Sequence, residues 1–263
     1  MSFFLKTEET FDRPLGVDYF IEKDGSKTRR FSRWFANFAF FVTGIVSKIC
    51  WRYKIIGKEK IQDLKGKSGA IIITNHSSYL DAVFFYLLAR PSQFVRIIAR
   101  DNVFSGIGGN ILARCGSFPI KRDTADRTAL KRAVKMMKNG ELVGIMPEGT
   151  RRNKGTAEMK LHSGFCLMAK MAGDVPIVPM AITGAGDIKK KGKFPSFHQI
   201  KMTVGEPLHL SDFNEFEKSK RMDICAWYAM RRVFALRDGI EESSVNMAEL
   251  FPNNEDFSDC FEQ

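Results

Sequence analysis

The stretch Gly69-Ala-Ile-Ile-Ile-Thr-Asn-His-Ser-Ser-Tyr-Leu-Asp81 is the most informative part of this 263-residue chain. Its first six residues are a short apolar run rich in β-branched side chains, which is typical of a buried strand. Residues 82–89 follow with the apolar character of a helix. The polar residues between them therefore lie at a strand-to-helix junction, where α/β proteins usually place their functional sites.

Strand-like and helix-like segments alternate along the rest of the chain. The pattern predicts further strands at residues 94–99, 117–121, 141–146, 176–182 and 199–204. It predicts further helices at residues 125–139, 161–172 and 219–237. This alternation favours an α/β domain with a mainly parallel sheet flanked by helices. We expect strand 176–182 at an edge of the sheet, because its prolines cannot donate hydrogen bonds to a neighbouring strand.

A helix with an aromatic face precedes this domain. Apolar side chains recur in it at helical spacing, at Phe31, Trp34, Phe35, Phe38, Phe41, Val42, Ile45 and Ile49. The uncharged run from Trp34 to Ser47 has 14 residues, whereas a bilayer span needs about 20 apolar residues. We expect an amphipathic helix that lies in the membrane interface. A helix packed on the core of the domain is the alternative.

The composition divides the chain into four segments. Residues 1–27 form a mixed polar arm, and residues 28–56 contain the amphipathic helix. Residues 57–237 hold the α/β domain. Residues 238–263 carry eight acidic and no basic side chains, so we expect an acidic, solvated tail.

The positive charge of the chain is concentrated in its middle. The formal net charge is +11, and residues 28–170 hold 26 basic but only 9 acidic side chains. This imbalance predicts an anionic partner, such as anionic lipid headgroups, a phosphorylated substrate or nucleic acid.

The cysteines and histidines give no sign of a disulfide framework or a metal site. The five cysteines stand far apart without a Cys-x-x-Cys pair, which favours buried free thiols in a reducing compartment. The four histidines lack the spacing of metal ligands. The acidic residues near Met1 also differ from the basic start of a cleavable signal peptide.

His76 and Asp81 are the candidate catalytic pair. On a regular helix, two residues five apart are separated by about 140°, so these side chains meet only if the chain turns between them. Ser77 and Ser78 favour such a turn. A carboxylate beside an imidazole fixes its tautomer and stabilises the imidazolium, which would make His76 a general base oriented by Asp81. The alternative is a capping histidine and an aspartate that interacts with the helix dipole.

Two further polar clusters follow predicted strands. Pro147-Glu-Gly-Thr-Arg-Arg152 combines a glycine with hydroxyl and guanidinium donors suited to phosphate, although it also fits an ordinary charged turn. Phe118-Pro-Ile-Lys-Arg-Asp123 places Lys121 and Arg122 at another strand end. Because the carboxyl ends of parallel strands share one rim, we expect these clusters to face the same site as His76.

The clusters resemble, in order, the sequence blocks of the glycerolipid acyltransferase family. Asn75-His76-x4-Asp81 is similar to the H-x4-D motif of that family, and Glu148-Gly-Thr-Arg151 is similar to its E-G-T-R block. Residues 118–122 resemble the block between them, and residues 175–179 resemble its proline-bearing final block. The four blocks lie within residues 68–182.

The resemblance implies an activity and a role for each block. Such enzymes move a fatty acyl group from a thioester of acyl carrier protein or coenzyme A to the sn-2 hydroxyl of lysophosphatidic acid, giving phosphatidic acid. Carried over, His76 would be the general base and Asp81 its orienter. The acceptor phosphate would be bound by Lys121, Arg122, Glu148, Gly149, Thr150 and Arg151. No metal and no cofactor other than the thioester co-substrate is implied.

Two alternatives stay open. The first changes the acceptor to another lysophospholipid, an amino-acid lipid or glycerol 3-phosphate. It stays open because many relatives carry a lysine where this chain has Leu161-His162-Ser163-Gly164. His162 or Lys160 would have to supply that cation. The second is a non-catalytic basic protein that binds anionic membranes or RNA. The apolar stripe of residues 31–51 argues against RNA, which favours aromatic residues interleaved with basic ones. We therefore expect an enzyme on the cytoplasmic side of a membrane surface with anionic lipids and no nucleic-acid partner.

Overall fold

The computed structural model describes residue 11 and residues 19–21, 27–29, 31–90, 93–121, 126–152, 159–188 and 197–261. A short antiparallel pair, β1 (Tyr19–Ile21) and β2 (Lys27–Arg29), precedes the long helix α1 (Phe31–Trp51). Strands and helices then alternate through the described part of the chain, as the sequence predicts.

Seven strands form the main sheet. They are β3 (Lys54–Ile56), β4 (Ala70–Thr74), β5 (Val95–Arg100), β6 (Phe118–Ile120), β7 (Leu142–Ile145), β8 (Ile177–Thr183) and β9 (Lys201–Val204). Their order across the sheet is β3-β9-β8-β4-β7-β5-β6. The strands from β8 to β6 are parallel, whereas β9 is antiparallel to β8 and parallel to β3. The predicted α/β class with a mainly parallel sheet is confirmed.

Helices cover both faces of this sheet. They are α2 (Glu59–Gln62), α3 (Asp81–Leu88), α4 (Gly106–Arg114), α5 (Arg127–Lys138), α6 (Gly164–Met171), α7 (Arg221–Asp238) and α8 (Met247–Leu250). Short 3₁₀ helices occur at Asp101–Phe104, Ala185–Ile188, Leu210–Phe213, Glu242–Ser244 and Ser258–Cys260.

The central strand β4 divides the interior into two cores. All five of its residues are buried. Ile71 and Ile73 belong to a core with α5, α6 and α7, whereas Ala70 and Ile72 belong to a second core with α1 and α3. This division follows from the alternation of side chains along a strand that is covered on both faces.

β8 is an interior strand, which corrects the prediction of an edge position. It pairs with β4 on one side and with β9 on the other. The Ile177 N–H points away from β4 and donates to the Leu208 carbonyl over 2.8 Å. Pro179, two residues later, turns its nitrogen to the same side. The ladder to β9 begins only at Met180, so the proline occupies a gap in that ladder and costs β8 no hydrogen bond to β4.

α1 packs on the domain through a side that combines the buried rings of Phe40 and Trp51 with polar residues, and a second apolar face points outward. Asn37 Oδ1 accepts a hydrogen bond from Arg90 Nη2 over 2.5 Å, and Ser47 is buried. The exposed apolar side chains are Phe38, Phe41, Val42, Ile45, Val46 and Ile49. An ordinary surface helix has one apolar stripe, which faces the core, whereas α1 also exposes a second apolar face. Of the helices in the described part of the chain, none has the length and apolar character needed to cross a bilayer.

The segment after Asp238 differs from the solvated tail expected from its charges. Val245, Met247, Phe251 and Phe257 are buried in the core that includes α7. The carboxylates between them stay exposed or half-buried. These four apolar residues are spaced widely along the segment, so the chain can bury them while its acidic side chains face solvent. The charge of the segment alone does not indicate this burial.

Two segments before residue 57 also belong to this packed unit. β3, at the end of the segment expected to hold the amphipathic helix, is an edge strand of the main sheet. Phe11, in the segment expected to be a polar arm, accepts a hydrogen bond at its carbonyl from Arg96 Nη2 over 2.8 Å. Its ring packs edge-on against that of Phe104. The folded unit is therefore larger than residues 57–237.

Candidate active site

The turn between β4 and α3 brings His76 and Asp81 into contact, as the sequence predicts. His76 Nδ1 lies 2.9 Å from Asp81 Oδ2. The backbone N–H groups of Ser77 and Ser78 each donate to the same carboxylate oxygen over 2.7 Å. Three donors thus converge on one oxygen, which explains how residues five apart can meet.

The environment of the pair determines which nitrogen of His76 carries a proton. Asp81 is fully buried, whereas 19% of the His76 side chain is exposed. The Asp81 oxygen that faces Nδ1 also accepts two backbone N–H groups, so a neutral His76 imidazole donates to it from Nδ1. Nε2 is then unprotonated and available to a bound hydroxyl group. The pair has the geometry of a general base and its orienter.

Glu148 and Arg152 hold the backbone of His76. Glu148 Oε1 accepts the His76 N–H over 3.1 Å, and the Arg152 N–H donates to the His76 carbonyl over 3.1 Å. The two side chains pair at 3.0 Å between Arg152 Nε and Glu148 Oε2. Glu148 was expected at the phosphate, but the structure places its buried carboxylate beneath the site, where it positions His76. A carboxylate there would in any case repel a phosphate.

Burial affects the ionisation of this pair. It raises the pKa of Glu148 to about 7, although the nearby Arg152 guanidinium acts in the opposite direction. It also lowers the pKa of Arg152, which the Glu148 charge opposes. The guanidinium of Arg152 lies over the rings of Phe234 and Phe251, 4.6 and 4.8 Å from their centroids. Arg152 is therefore engaged inside the protein, and Arg151 is the arginine of this block that faces the groove.

A groove of about 1150 Å³ opens beside His76. Four of the residues predicted to bind phosphate line it, namely Lys121, Gly149, Thr150 and Arg151. Lys160 and His162, the substitutes proposed for the lysine of the family, line it as well. Arg122 lies outside the described residues. The ends of β4, β6 and β7 thus meet at one groove, because these strands are parallel members of one sheet.

Gly149 gives the polar block its tight turn. Its φ is +63°, in the left-handed region that strains residues with a side chain. Its N–H donates to the Met146 carbonyl over 3.0 Å, and the next N–H, of Thr150, donates to the Glu148 carbonyl over 2.7 Å. This turn separates the buried side chain of Glu148 from those of Thr150 and Arg151 in the groove.

The rest of the groove is largely apolar, and the C-terminal segment forms part of it. Apolar lining residues include Ile98, Leu112, Ile120, Ile145, Phe165, Met168, Trp227 and Phe257. Asn254 lines the groove and holds the backbone of Leu161: its Oδ1 accepts the N–H over 2.8 Å, and its Nδ2 donates to the carbonyl over 3.0 Å. Asn254 therefore positions the loop that carries Lys160 and His162. The sequence did not predict this contribution to the groove, because the acidic charge of the C-terminal segment favoured a solvated tail.

Tyr79 is a second residue of the site that the sequence did not single out. Its ring lies under the Arg151 guanidinium, 3.6 Å from the guanidinium carbon, and its hydroxyl accepts a hydrogen bond from Arg151 Nη2 over 2.9 Å. The only sign of it in the sequence was the position of an aromatic residue between His76 and Asp81.

Among the side chains that the structure describes, no group of three or more His, Cys, Asp or Glu is arranged to hold a metal ion. All five cysteines are free thiols, and Cys115, Cys166 and Cys225 are buried. The thiols thus agree with the expectation of unpaired cysteines.

Comparison with known proteins assigns the family. A sequence model of the acyltransferase family matches residues 52–183, an interval that contains His76, Asp81 and the Glu148–Arg151 block. The chain belongs to the acyltransferase family. This finding confirms the resemblance drawn from the ordered blocks. The C-terminal segment that lines the groove of this acyltransferase lies outside the matched interval.

Relatives of known name agree with this assignment. A 1-acyl-sn-glycerol-3-phosphate acyltransferase of Bacillus subtilis (strain 168) is 30% identical over 193 residues, which cover 72% of this chain and 90% of that protein. A protein of the same name from Streptococcus pneumoniae is 28% identical over 146 residues, which cover 55% of this chain and 52% of that protein.

A solved structure shares the fold of this acyltransferase. The crystal structure of the 1-acyl-sn-glycerophosphate (LPA) acyltransferase PlsC from Thermotoga maritima matches with a TM-score of 0.52 and 21% sequence identity, covering 78% of each chain. At this identity the likeness concerns the fold alone, and it supports the observed α/β architecture.

Proposed function

We propose that this acyltransferase moves a fatty acyl group from a thioester to the sn-2 hydroxyl of lysophosphatidic acid, giving phosphatidic acid. The observation that carries the proposal is the contact between His76 and Asp81 at a groove that also holds Lys121 and Arg151. Such a groove offers a base for a hydroxyl group and cations for a phosphate. The relatives from Bacillus subtilis and Streptococcus pneumoniae bear names that specify the same acceptor.

The proposed reaction needs one base. His76 Nε2 takes the proton of the acceptor hydroxyl while the hydroxyl oxygen attacks the carbonyl carbon of the thioester. The bond between carbon and sulfur then breaks, and the imidazolium returns its proton to the leaving thiolate. Asp81 stabilises the charged imidazolium and keeps the ring oriented. A positioned base contributes about 10²–10⁴ to the rate, and no cofactor is required because the thioester is already activated.

The acceptor phosphate binds to the groups at the ends of β6 and β7. Arg151 can grip two phosphate oxygens with parallel hydrogen bonds, and Lys121 adds a second positive charge. Arg122, the Gly149 backbone and the Thr150 hydroxyl complete the proposed phosphate site.

Glu148 has no direct part in it, because its carboxylate is buried and pairs with Arg152. The apolar walls of the groove provide room for acyl chains.

The proposed enzyme works on the surface of a membrane. The outward face of α1 exposes 67% of Phe41 and 66% of Ile49, which favours insertion into a bilayer interface. Lys48 and Arg52 stand at the end of the same helix, where they can meet anionic lipids of the cytoplasmic leaflet. The donor is a thioester of acyl carrier protein or coenzyme A, and nucleic acid is not a partner.

Thiol release from acyl thioesters tests this function. Both donor types are offered with lysophosphatidic acid, lysophosphatidylcholine or glycerol 3-phosphate as the acceptor. We expect release to depend on lysophosphatidic acid. Preference for another acceptor would overturn the substrate assignment. Absence of thiol release with every acceptor, from protein that is folded and bound to vesicles, would favour the non-catalytic membrane protein instead.

A further inference from the structure

Tyr79 is an exposed aromatic residue within the turn that carries the catalytic pair. It lies three residues after His76 and two before Asp81, and 64% of it is exposed. It takes part in neither hydrophobic core. Burial therefore does not explain why the ring is held against Arg151.

The contact between the two side chains has two components. The guanidinium carbon of Arg151 lies 3.6 Å from the centroid of the Tyr79 ring, a cation–π arrangement. Arg151 Nη2 also donates to the Tyr79 hydroxyl over 2.9 Å. One face of the guanidinium and one of its N–H groups are thus engaged, while the other N–H groups stay available to a ligand in the groove that both residues line.

The same two loops are joined through their backbones. The His76 N–H donates to Glu148, and the Arg152 N–H donates to the His76 carbonyl. The contact between Tyr79 and Arg151 adds a link between side chains at the surface of the groove. Because all these links originate in one turn, the position of the Arg151 guanidinium is tied to that of the His76 base.

We propose that Tyr79 is a positioning residue that presents Arg151 to the acceptor phosphate. The inference rests on the proposed function, in which Arg151 binds that phosphate. A long arginine side chain loses rotamer freedom when it grips a ligand, and a side chain already held in one geometry loses less. Tyr79 therefore acts through Arg151 and raises the affinity for acceptors that carry a phosphate group.

Steady-state kinetics of three Tyr79 variants test the proposal. Tyr79→Leu removes the ring and the hydroxyl, so KM for lysophosphatidic acid should rise about tenfold, while kcat and KM for the thioester change less than about twofold. Tyr79→Phe and Tyr79→Trp keep an aromatic face but lose the tyrosine hydroxyl, so each should raise this KM only about threefold. A KM in either aromatic variant as high as that of Tyr79→Leu would overturn the role of the ring.

A double-mutant cycle with Arg151→Ala separates positioning from a general structural effect. If Tyr79 acts through Arg151, adding Tyr79→Leu to Arg151→Ala leaves KM for lysophosphatidic acid unchanged. An equal rise in both backgrounds, a rise in KM for the thioester, or a fall in kcat alone would contradict the proposal. A lower KM in Tyr79→Phe would also overturn it, because the hydroxyl would then be competing with the phosphate.

Two further measurements keep this test distinct from that of the proposed function. If the wild-type protein does not turn over lysophosphatidic acid, the acceptor assignment fails, and equilibrium binding of lysophosphatidic acid to the same variants still tests Tyr79. The dissociation constants should follow the pattern expected for KM. Flotation of Tyr79→Leu with anionic vesicles should match the wild type, and a loss of flotation would assign Tyr79 to the bilayer instead.

Discussion

His76 and Asp81 show, at the scale of single residues, how a turn brings two distant positions of a motif together. One Asp81 oxygen accepts the His76 Nδ1–H and the N–H groups of Ser77 and Ser78. The orientation of the imidazole and the shape of the turn therefore depend on the same buried carboxylate. Substitutions at the two positions should have different consequences.

His76→Ala should lower kcat for acyl transfer by about 10²–10⁴ and leave the fold intact, because the partly exposed imidazole acts mainly as a base. Asp81→Asn should lower kcat and also destabilise the protein, since a neutral amide oxygen accepts these N–H groups more weakly than a carboxylate does. Thiol release measures the first effect, and urea unfolding measures the second. Retained turnover in His76→Ala would contradict the base assignment.

The buried pair of Glu148 and Arg152 makes the stability of the protein depend on pH. The ordinary pKa of a glutamate is 4.5, whereas the pKa of Glu148 in the fold is about 7. The folded chain therefore holds this proton more tightly than the unfolded chain. The stability associated with this group is present below pH 4.5 and is lost as the pH rises through the window to 7.

Arg152→Gln should destabilise the protein by about 3 kcal/mol above pH 7, because an ionised Glu148 would stay buried without its cation. Near pH 4.5 the Glu148 carboxyl group is neutral in the folded protein, so the loss of stability caused by Arg152→Gln should be smaller. Urea unfolding at the two pH values measures the difference. The double variant Glu148→Gln/Arg152→Gln is the control and should lose most of this pH dependence. A cost that does not change with pH would argue against the charge as its cause.

α1 shows, at the scale of secondary structure elements, that an apolar pattern does not specify the side on which a helix packs. The side of α1 that faces the domain combines Gly44 and the buried Ser47 with the buried rings of Phe40 and Trp51. A second set of apolar side chains, including Phe41 and Ile49, remains outside. The helix thus presents a surface suited to a lipid interface while it is held by the domain.

Phe41→Asp combined with Ile49→Asp should weaken binding to anionic vesicles by at least about tenfold, because both side chains would leave the apolar part of the interface. Their exposure means that stability should change by no more than about 0.5 kcal/mol. Flotation with vesicles and urea unfolding measure the two effects. Met171→Asp, at an exposed apolar position of α6, is the matched control and should float as the wild type does. Normal flotation of the double variant would refute the membrane role of α1.

The C-terminal segment joins the site to the rest of the molecule as a whole. Asn254 holds Leu161, and Arg152 donates from Nη1 to the Leu250 carbonyl over 3.1 Å. Phe251 is buried against the Arg152 guanidinium. Residues outside the interval matched by the family thus support the loops that form the groove.

Phe251→Ala should destabilise the whole protein by about 3–5 kcal/mol, because it removes a large buried side chain and leaves a cavity beside Arg152. Glu249→Ala lies on the same segment but is exposed, so it should change stability by no more than about 0.5 kcal/mol. Urea unfolding of both variants measures the contrast. A negligible cost for Phe251→Ala would show that the segment contributes little to the fold.

The sequence by itself determined the class of the fold and the places where its polar clusters occur. β-branched runs, helical periodicity and glycines at element ends are local signals, so strands such as β4 and β7 are recognisable without knowledge of their neighbours. The approach of Lys121 and Arg151 to His76 also follows, because parallel strands direct their carboxyl ends to one rim.

Only the tertiary structure decided where individual side chains point. Glu148 turns beneath the site because it accepts the N–H of a residue 72 positions away, and Arg152 turns inward because rings from α7 and the C-terminal segment surround it. The interior position of β8, the outward face of α1 and the burial of the acidic C-terminal segment are decided in the same way. Each depends on contacts between residues far apart in the chain, and no local pattern of charge or hydrophobicity encodes such contacts.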